Sequence, residues 1–259
     1  MRRDALFLRP GEWGEHSWKI PVLGAGPSWV VLDQPSAVGA ETPDPDEATR
    51  HLQAAFRKGI AEGRPSTCAL LSGGASSIYP LNCGGPVVFA GDRDQLAAMR
   101  EDYGSARWEL RFLLLARSAP AEEEILCDLP VAVHKREPRS LVSHTTGKRA
   151  STRFRRLAQG PGGLQLWEAL TRFLRPDQIR LHASEVGIAI AGEDRYGQHE
   201  PLSRADLPGT RRPGGKGFVL FNGPAVHLAE LNADLPGGEA QTYSSTLPKA
   251  LAKWMEALS

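Results

Sequence analysis

Cysteine is scarce in this chain: three residues, Cys68, Cys83 and Cys127, stand far apart among 259. None forms a CxxC pair and no histidine spacing suits zinc, so a disulfide framework or a zinc module is not indicated. A reducing cytoplasm is the expected compartment. Net charge is also nearly absent, with 31 basic against 30 acidic residues. No global field announces a nucleic-acid partner, and any RNA-binding argument has to rest on local patches. Long apolar runs are missing as well. Nothing approaches the roughly 20 residues of a membrane span, and the apolar run after Arg2-Arg3 is too short for a signal peptide. There is no internal repeat and no heptad. The glycine pairs Gly73-Gly74 and Gly84-Gly85 lack a phosphate-loop lysine. Metal binding, membrane insertion and nucleotide-phosphate cradling are thus without a sequence signal.

Glycine and proline, in contrast, are abundant, at 27 and 20 residues. They cut the chain into short elements, which favours a loop-rich sheet protein over a helical bundle. Residues 1–27 show no periodicity and read as an irregular arm packed on a domain over 28–259. Strands are predicted at Trp29–Leu32, Ala69–Leu71, Val87–Ala90 and Leu110–Ala116. A helix over Asp46–Glu62 places Leu52, Ala55, Phe56 and Ile60 on one face. A second runs from Arg93, capped by Asp92, to about Tyr103, and Gly104 ends it. The stretch holding Glu122–Glu124 and Lys135–Glu137 reads as an exposed connection. Beyond it, a strand from Thr146 to Leu157, a Gly160–Gly163 turn and a strand Leu164–Leu170 form an antiparallel hairpin. A short helix starts near Pro176, extended pieces follow at Gly187–Ala191 and Phe218–Phe221, and an amphipathic helix opens at Leu247. The mixture is α+β.

Several stretches carry a family resemblance. The segment Arg175-Pro176-Asp177-Gln178-Ile179-Arg180-Leu181-His182, followed by Gly187 through Gly192-Glu193-Asp194-Arg195-Tyr196-Gly197, resembles the pattern GRxHQIRxHxxxxGxPIxGDxxYG of RluA-type RNA pseudouridine synthases. Gly147-Lys148-Arg149-Ala150-Ser151-Thr152 is similar to that family's G-K-x-A-x-T strand. Val226-His227-Leu228 is similar to its L-H-A segment, and Leu235-Pro236 and Leu247-Pro248 to later Leu-Pro turns. Asp33-Gln34-Pro35-Ser36 resembles the N-K-P-x-G turn, with Gln34 in place of lysine. The likeness covers about residues 28 to 258.

The resemblance implies a bent, mainly antiparallel sheet with flanking helices and a basic central cleft for RNA. It implies no cofactor and no metal. A target uridine would be flipped out of its stack, because its reactive atoms are inaccessible inside a helix. An aspartate would then open the rearrangement that moves the sugar from N1 to C5. That family's H-R-L-D-x-x-T-S-G corresponds here to Tyr79-Pro80-Leu81-Asn82-Cys83-Gly84-Gly85, so Asn82 holds the nucleophile position and Pro80 replaces an arginine. The strand tyrosine corresponds to Phe112, which keeps a ring and loses a hydroxyl. Arg175 matches the aspartate's partner, Asp177 replaces the histidine of H-Q-I-R, and Gln178, Ile179 and Arg180 match. A neutral carboxamide at Asn82 cannot attack and later leave as a carboxylate does.

Each position also has an ordinary reading: a turn for Asn82, core packing for Phe112, an ion pair for Arg175, and a helix-terminus carboxylate for Asp177. Lys148, Arg149, Arg153, Arg155 and Arg156 form the best basic cluster, with Arg153 and Arg155 on one strand face and Phe154 and Arg156 on the other. Arg180, Arg211 and Arg212 complete the expected RNA contacts. A solvated face explains the cluster as well as RNA does. Three readings stand: a monomeric protein that binds rRNA or tRNA and has lost or nearly lost isomerase activity; an active synthase, with the loop around Asn82 corresponding differently to the family's or with another carboxylate such as Asp177 or Asp33 recruited; and a protein-interaction scaffold without RNA.

Overall fold

The computed structural model describes residues 5–8, 17–26, 29–36, 76–78, 81, 83–91, 93–137, 139–160, 163–206, 219–221, 223–236 and 240–256. The predicted elements at Asp46–Glu62 and Ala69–Leu71, and the cap Asp92, lie outside them. The chain divides into two compact units, Met1–Leu110 with Leu228–Thr246, and Arg111–His227 with Leu247–Ser259.

The first unit is built on an antiparallel sheet in the order β1-β2-β3-β5-β4. Its strands are β1 (Ala5–Leu8), β2 (Trp18–Ala25), β3 (Trp29–Gln34), β4 (Ser76–Ser77) and β5 (Gly85–Ala90). Val30, Val31 and Leu32 pair with Phe89, Val88 and Val87, and all six are buried. Strands of β-branched and aromatic residues buried on both faces read as continuous apolar runs, which is why both were legible. The arm expected to be irregular supplies β1 and β2 instead. Pro21 and a mixed burial pattern hide β2 from any period-2 reading; its pairing with β3 decides its conformation. Gly85 opens β5 at φ 131°, where a Cβ would lie 2.2 Å from the Leu228 carbonyl oxygen, so no other residue fits. The helix Arg93–Gly104 buries Met99 and Tyr103, and Tyr103 packs on Trp108 with ring centroids 5.4 Å apart. The hairpin of β15 (Val226–Ala233) and β16 (Gln241–Ser244) completes the unit.

In the second unit β6 (Glu109–Ser118), β11 (Gln165–Thr171), β10 (Thr152–Gln159) and β7 (Glu124–Cys127) lie in that order, and β12 (Ala189–Ile190) pairs with β6. The predicted hairpin is present: β10 and β11 are antiparallel, and the Gly160 amide donates to the Leu164 carbonyl at 2.8 Å. Its first strand starts at Thr152 rather than Thr146. The residues before it turn away, leaving a single bridge from Lys148 to Val131. The stretch read as an exposed connection contains β7 and the small hairpin of β8 (Val131–Val133) and β9 (Ser140–Val142). These strands are three or four residues long, too short to print a period. β13 (Leu202–Ser203) pairs with β14 (Val219–Phe221). The helix Gln178–Glu185 follows Pro176 as expected, and the helix Lys249–Glu256 buries Leu251 and Trp254. Most strand pairs are antiparallel and helices are few: the chain is α+β. Among the described residues, no helix is long and apolar enough to cross a membrane.

Candidate functional site

The signature stretch of the second unit folds around Gln178, whose side chain is fully buried. Its Oε1 accepts the Arg175 amide at 2.8 Å, while Nε2 donates to the Ser151 carbonyl, Thr152 Oγ1 and Thr171 Oγ1 at 3.0–3.1 Å. One amide therefore ties the Arg175 turn to the start of β10 and the end of β11. The order continues along a chain of hydrogen bonds. Thr152 Oγ1 lies 2.9 Å from His182 Nδ1, and His182 Nε2 lies 2.9 Å from the Leu129 carbonyl. A carbonyl accepts only, so Nε2 carries the proton and Nδ1 accepts from the threonine. Burial holds the His182 pKa below its ordinary value, in keeping with a neutral ring.

Arg175 is half-buried. Its guanidinium lies 4.2 Å from the Phe173 ring centroid, and Nε donates to the Arg149 carbonyl at 3.3 Å. The structure thus brings Arg175 together with the loop of Lys148 and Arg149, both exposed.

Asp177 sits before the helix in the left-handed region, φ 56°, and makes no capping bond with its side chain. Its buried carboxylate turns to the loop that ends the signature. It accepts from Tyr196 Oη at 2.7 Å, from Arg195 Nη1 at 3.1 Å and from the Ser140 amide at 3.3 Å. The Tyr196 phenol is pushed up by burial and by the negative charge of Asp177. These bonds, rather than the helix dipole, occupy the carboxylate.

Arg180, expected to contact RNA, does not face solvent. It is 4% exposed, and Nε and Nη2 each donate to Glu193 at 2.7 Å. Burial works to raise the Glu193 pKa, but the hydrogen bonds and charge of Arg180 hold it below the ordinary carboxylate value. Arg180 is an internal ion-pair residue. The sequence motif locates both members of the pair, Arg180 and Glu193, but only their burial distinguishes holding the site from meeting a ligand.

Thr152 and Phe154 are buried while Arg153 and Arg155 are exposed, the alternation expected of β10. Gln178 and His182 bond Thr152, so their helix lies on the Thr152–Phe154 face and the two arginines point the other way. Arg155 pairs with Glu168 at 2.8 Å, Arg153 with Glu124 at 3.5 Å and Arg156 with Glu123 at 3.3 Å. Phe112 is 1% exposed, its ring enclosed by protein. Asn82, Arg211 and Arg212 lie outside the described residues.

In the first unit, the backbone on either side of position 82 is held by Gln34. Its Nε2 donates to the Cys83 carbonyl at 2.9 Å and the Leu81 carbonyl at 3.4 Å. The adjacent Asp33 is buried, and desolvation raises its pKa against the pull of the Ser245 hydroxyl and the Thr246 amide. Among the described residues, no group of three His, Cys, Asp or Glu is placed to hold a metal ion.

No family model matches the chain. Over 132 residues, 51% of this chain, it is 28% identical to the uncharacterized RNA pseudouridine synthase YlyB of Bacillus subtilis (strain 168); the match spans 38% of that protein's length. Its structure is similar to human RNA pseudouridylate synthase domain containing 1, with TM-score 0.59 and 15% identity over 88% of this chain and 84% of the other. It is also similar to human RNA pseudouridylate synthase domain containing 4, with TM-score 0.62 and 15% identity over 92% of each. The chain therefore has a pseudouridine-synthase-like fold and, over half its length, sequence similarity to an RNA pseudouridine synthase.

Proposed function

We propose that this protein binds structured RNA, rRNA or tRNA, as a divergent RluA-type member of the pseudouridine synthases, with isomerase activity lost or nearly lost. The observation that carries the reading is Asn82 at the nucleophile position of a chain whose Arg175–Gly197 signature keeps its order. The chemistry asks for a group that bonds to carbon and later departs, and a carboxamide does neither by the carboxylate's route. Where nucleophiles have been removed from other enzymes, turnover falls on the order of a million-fold. Phe112 supplies no phenolic hydroxyl, and Arg175 would face a neutral amide. RNA remains the expected ligand, because the sequence relative is named for RNA and Lys148, Arg149 and Arg175 gather on one loop and turn.

An active synthase would need another carboxylate. Asp177 and Asp33 are both buried and both hydrogen-bonded internally, which favours the impaired reading over this one. A protein scaffold, the third reading, predicts no RNA binding at all.

The deciding experiment is tritium release from RNA labelled at uridine C5, with wild type beside Asn82→Asp. Bond formation at C5 expels the label. Silence from wild type with salt-sensitive RNA binding is the expected result, and release by Asn82→Asp would mark the vacated position. Release by wild type would overturn the reading. Absence of RNA binding would point to the scaffold.

A further inference from the structure

Strand β7 ends the strand order of the second unit and, among the described residues, pairs with β10 alone. The register says which way its backbone faces. The Arg156 amide donates to the Glu123 carbonyl at 2.8 Å, so these two opposite residues are a hydrogen-bonded pair. In an antiparallel ladder such pairs alternate with pairs whose amides and carbonyls turn away from each other. Ile125 and Cys127, opposite Phe154 and Thr152, therefore bond to β10. Glu124 and Leu126, opposite Arg155 and Arg153, point their N–H and C=O groups off the edge of the sheet. Among the described residues, neither of these two backbones has a hydrogen-bond partner.

Along that open backbone one apolar side chain stands between carboxylates. Leu126 is 65% exposed and shares a face with Glu124, whose side chain is 59% exposed. Glu122 and Glu123 precede the strand and Asp128 follows it, all exposed, and no lysine or arginine occurs from Ser118 to Val133. The nearby cations stand one strand further in and are engaged there. Arg153 meets Glu124 at 3.5 Å and Arg156 meets Glu123 at 3.3 Å, while Arg155 turns to Glu168, which also accepts from Arg111. Glu122 and Asp128 have no ion pair among the described residues. A strand arriving beside β7 would meet Glu124, Leu126 and Asp128 before any arginine of β10.

We propose that the outer edge of β7 receives an extended, basic peptide segment of a partner protein as an added strand. Unpaired N–H and C=O groups on an edge are a template for such pairing, and alternate side chains then set the choice of partner. The segment that fits places an apolar residue opposite Leu126 and a lysine or arginine two positions to either side, opposite Glu124 and Asp128. A second copy of this chain is the poorer occupant. Antiparallel self-pairing centred on Leu126 sets Glu124 of each copy opposite Asp128 of the other, and like charges directly opposite destabilise a ladder. A nucleic-acid strand offers no matching ladder and brings phosphates against these carboxylates. The inference goes beyond the RNA-binding reading and does not depend on it.

The test uses the full chain and a synthetic peptide whose centre reads lysine, threonine, valine, threonine, lysine. Calorimetric titration should show binding that weakens as salt rises, and the Leu126 amide should exchange more slowly in the complex. The same peptide with glutamate for lysine, or with the valine nitrogen methylated, should bind at least about tenfold more weakly. Leu126→Pro removes the outward N–H and no bond to β10, a place where an edge strand tolerates proline. It should lower peptide affinity by roughly tenfold. If Leu126→Pro melts early, Leu126→Lys carries the test, since it replaces the apolar anchor with a charge that repels the peptide. Equal affinity for the lysine and glutamate peptides, or no protection of the Leu126 amide, would overturn the proposal. So would self-association of the wild type that Leu126→Lys abolishes while the peptide fails to bind, because the occupant would then be a second copy.

Discussion

Arg180 and Glu193 are joined by two hydrogen bonds of 2.7 Å each, with both side chains almost wholly out of water. Glu193 Oε1 also accepts the amides of Arg195 and Tyr196, at 2.8 and 3.0 Å. The pair thus closes the loop that ends the signature onto the helix that begins it.

Removing one partner leaves a buried charge without compensation. Glu193→Ala should lower stability by about 3–5 kcal/mol, read from urea unfolding. The Glu193 pKa is depressed in the folded protein, so its contribution is complete above the unfolded carboxylate value of about 4.3 and is lost as pH falls through the folded value. A variant with the same urea midpoint as wild type at neutral pH would show that the pair holds nothing.

His227 is 1% exposed, and burial pushes its pKa down to about 4. The unfolded imidazole binds a proton near pH 6.5, the folded one only near 4, so stability falls as pH drops across that window. The loss amounts to roughly 3 kcal/mol at its fullest. Unfolding free energies measured from neutral pH to about 4 should decline in wild type and decline less in His227→Phe, which lacks the titrating ring. Parallel curves would rule the histidine out.

Gln178 serves four partners with one amide. Gln178→Leu, close in volume, takes away the acceptor of the Arg175 amide and the donor shared by the Ser151 carbonyl, Thr152 Oγ1 and Thr171 Oγ1, and should cost roughly 2–4 kcal/mol. If the amide also sets the Arg175 turn, tRNA-transcript affinity should fall under conditions where the variant remains folded. A stable variant with wild-type binding would contradict both roles.

Gln34 spans the carbonyls of Leu81 and Cys83. Gln34→Ala should cost about 1–2 kcal/mol and speed amide hydrogen exchange in peptides covering 81–85 more than in those covering the helix Arg93–Gly104. Uniform acceleration across both would mean global destabilisation, not loss of a local clamp.

How much was legible follows from the physics of each element. Apolar strands such as β3 and β5 announce themselves because both faces are buried. The β10–β11 hairpin does so because glycine and proline mark its turn. β1, β2 and the β8–β9 pair carry no such signal; each is a strand because a neighbour supplies its hydrogen bonds. The same divide runs through the site. The resemblance singles out Arg175, Gln178 and Arg180 alike, but only the tertiary structure separates half-buried Arg175 from Arg180, whose charge is consumed by Glu193.

By itself the sequence determined the α+β class, the order of the signature from Arg175 to Gly197, and the amide at position 82, since these depend on residue identity and local pattern. The tertiary structure alone decided which charges are available. Whether an arginine meets solvent or a carboxylate depends on residues remote in the chain: Glu168 is 57 positions from Arg111 and 13 from Arg155, and the strand order brings all three together. Pattern along a chain shows which face a side chain takes, and only packing across strands shows what waits there.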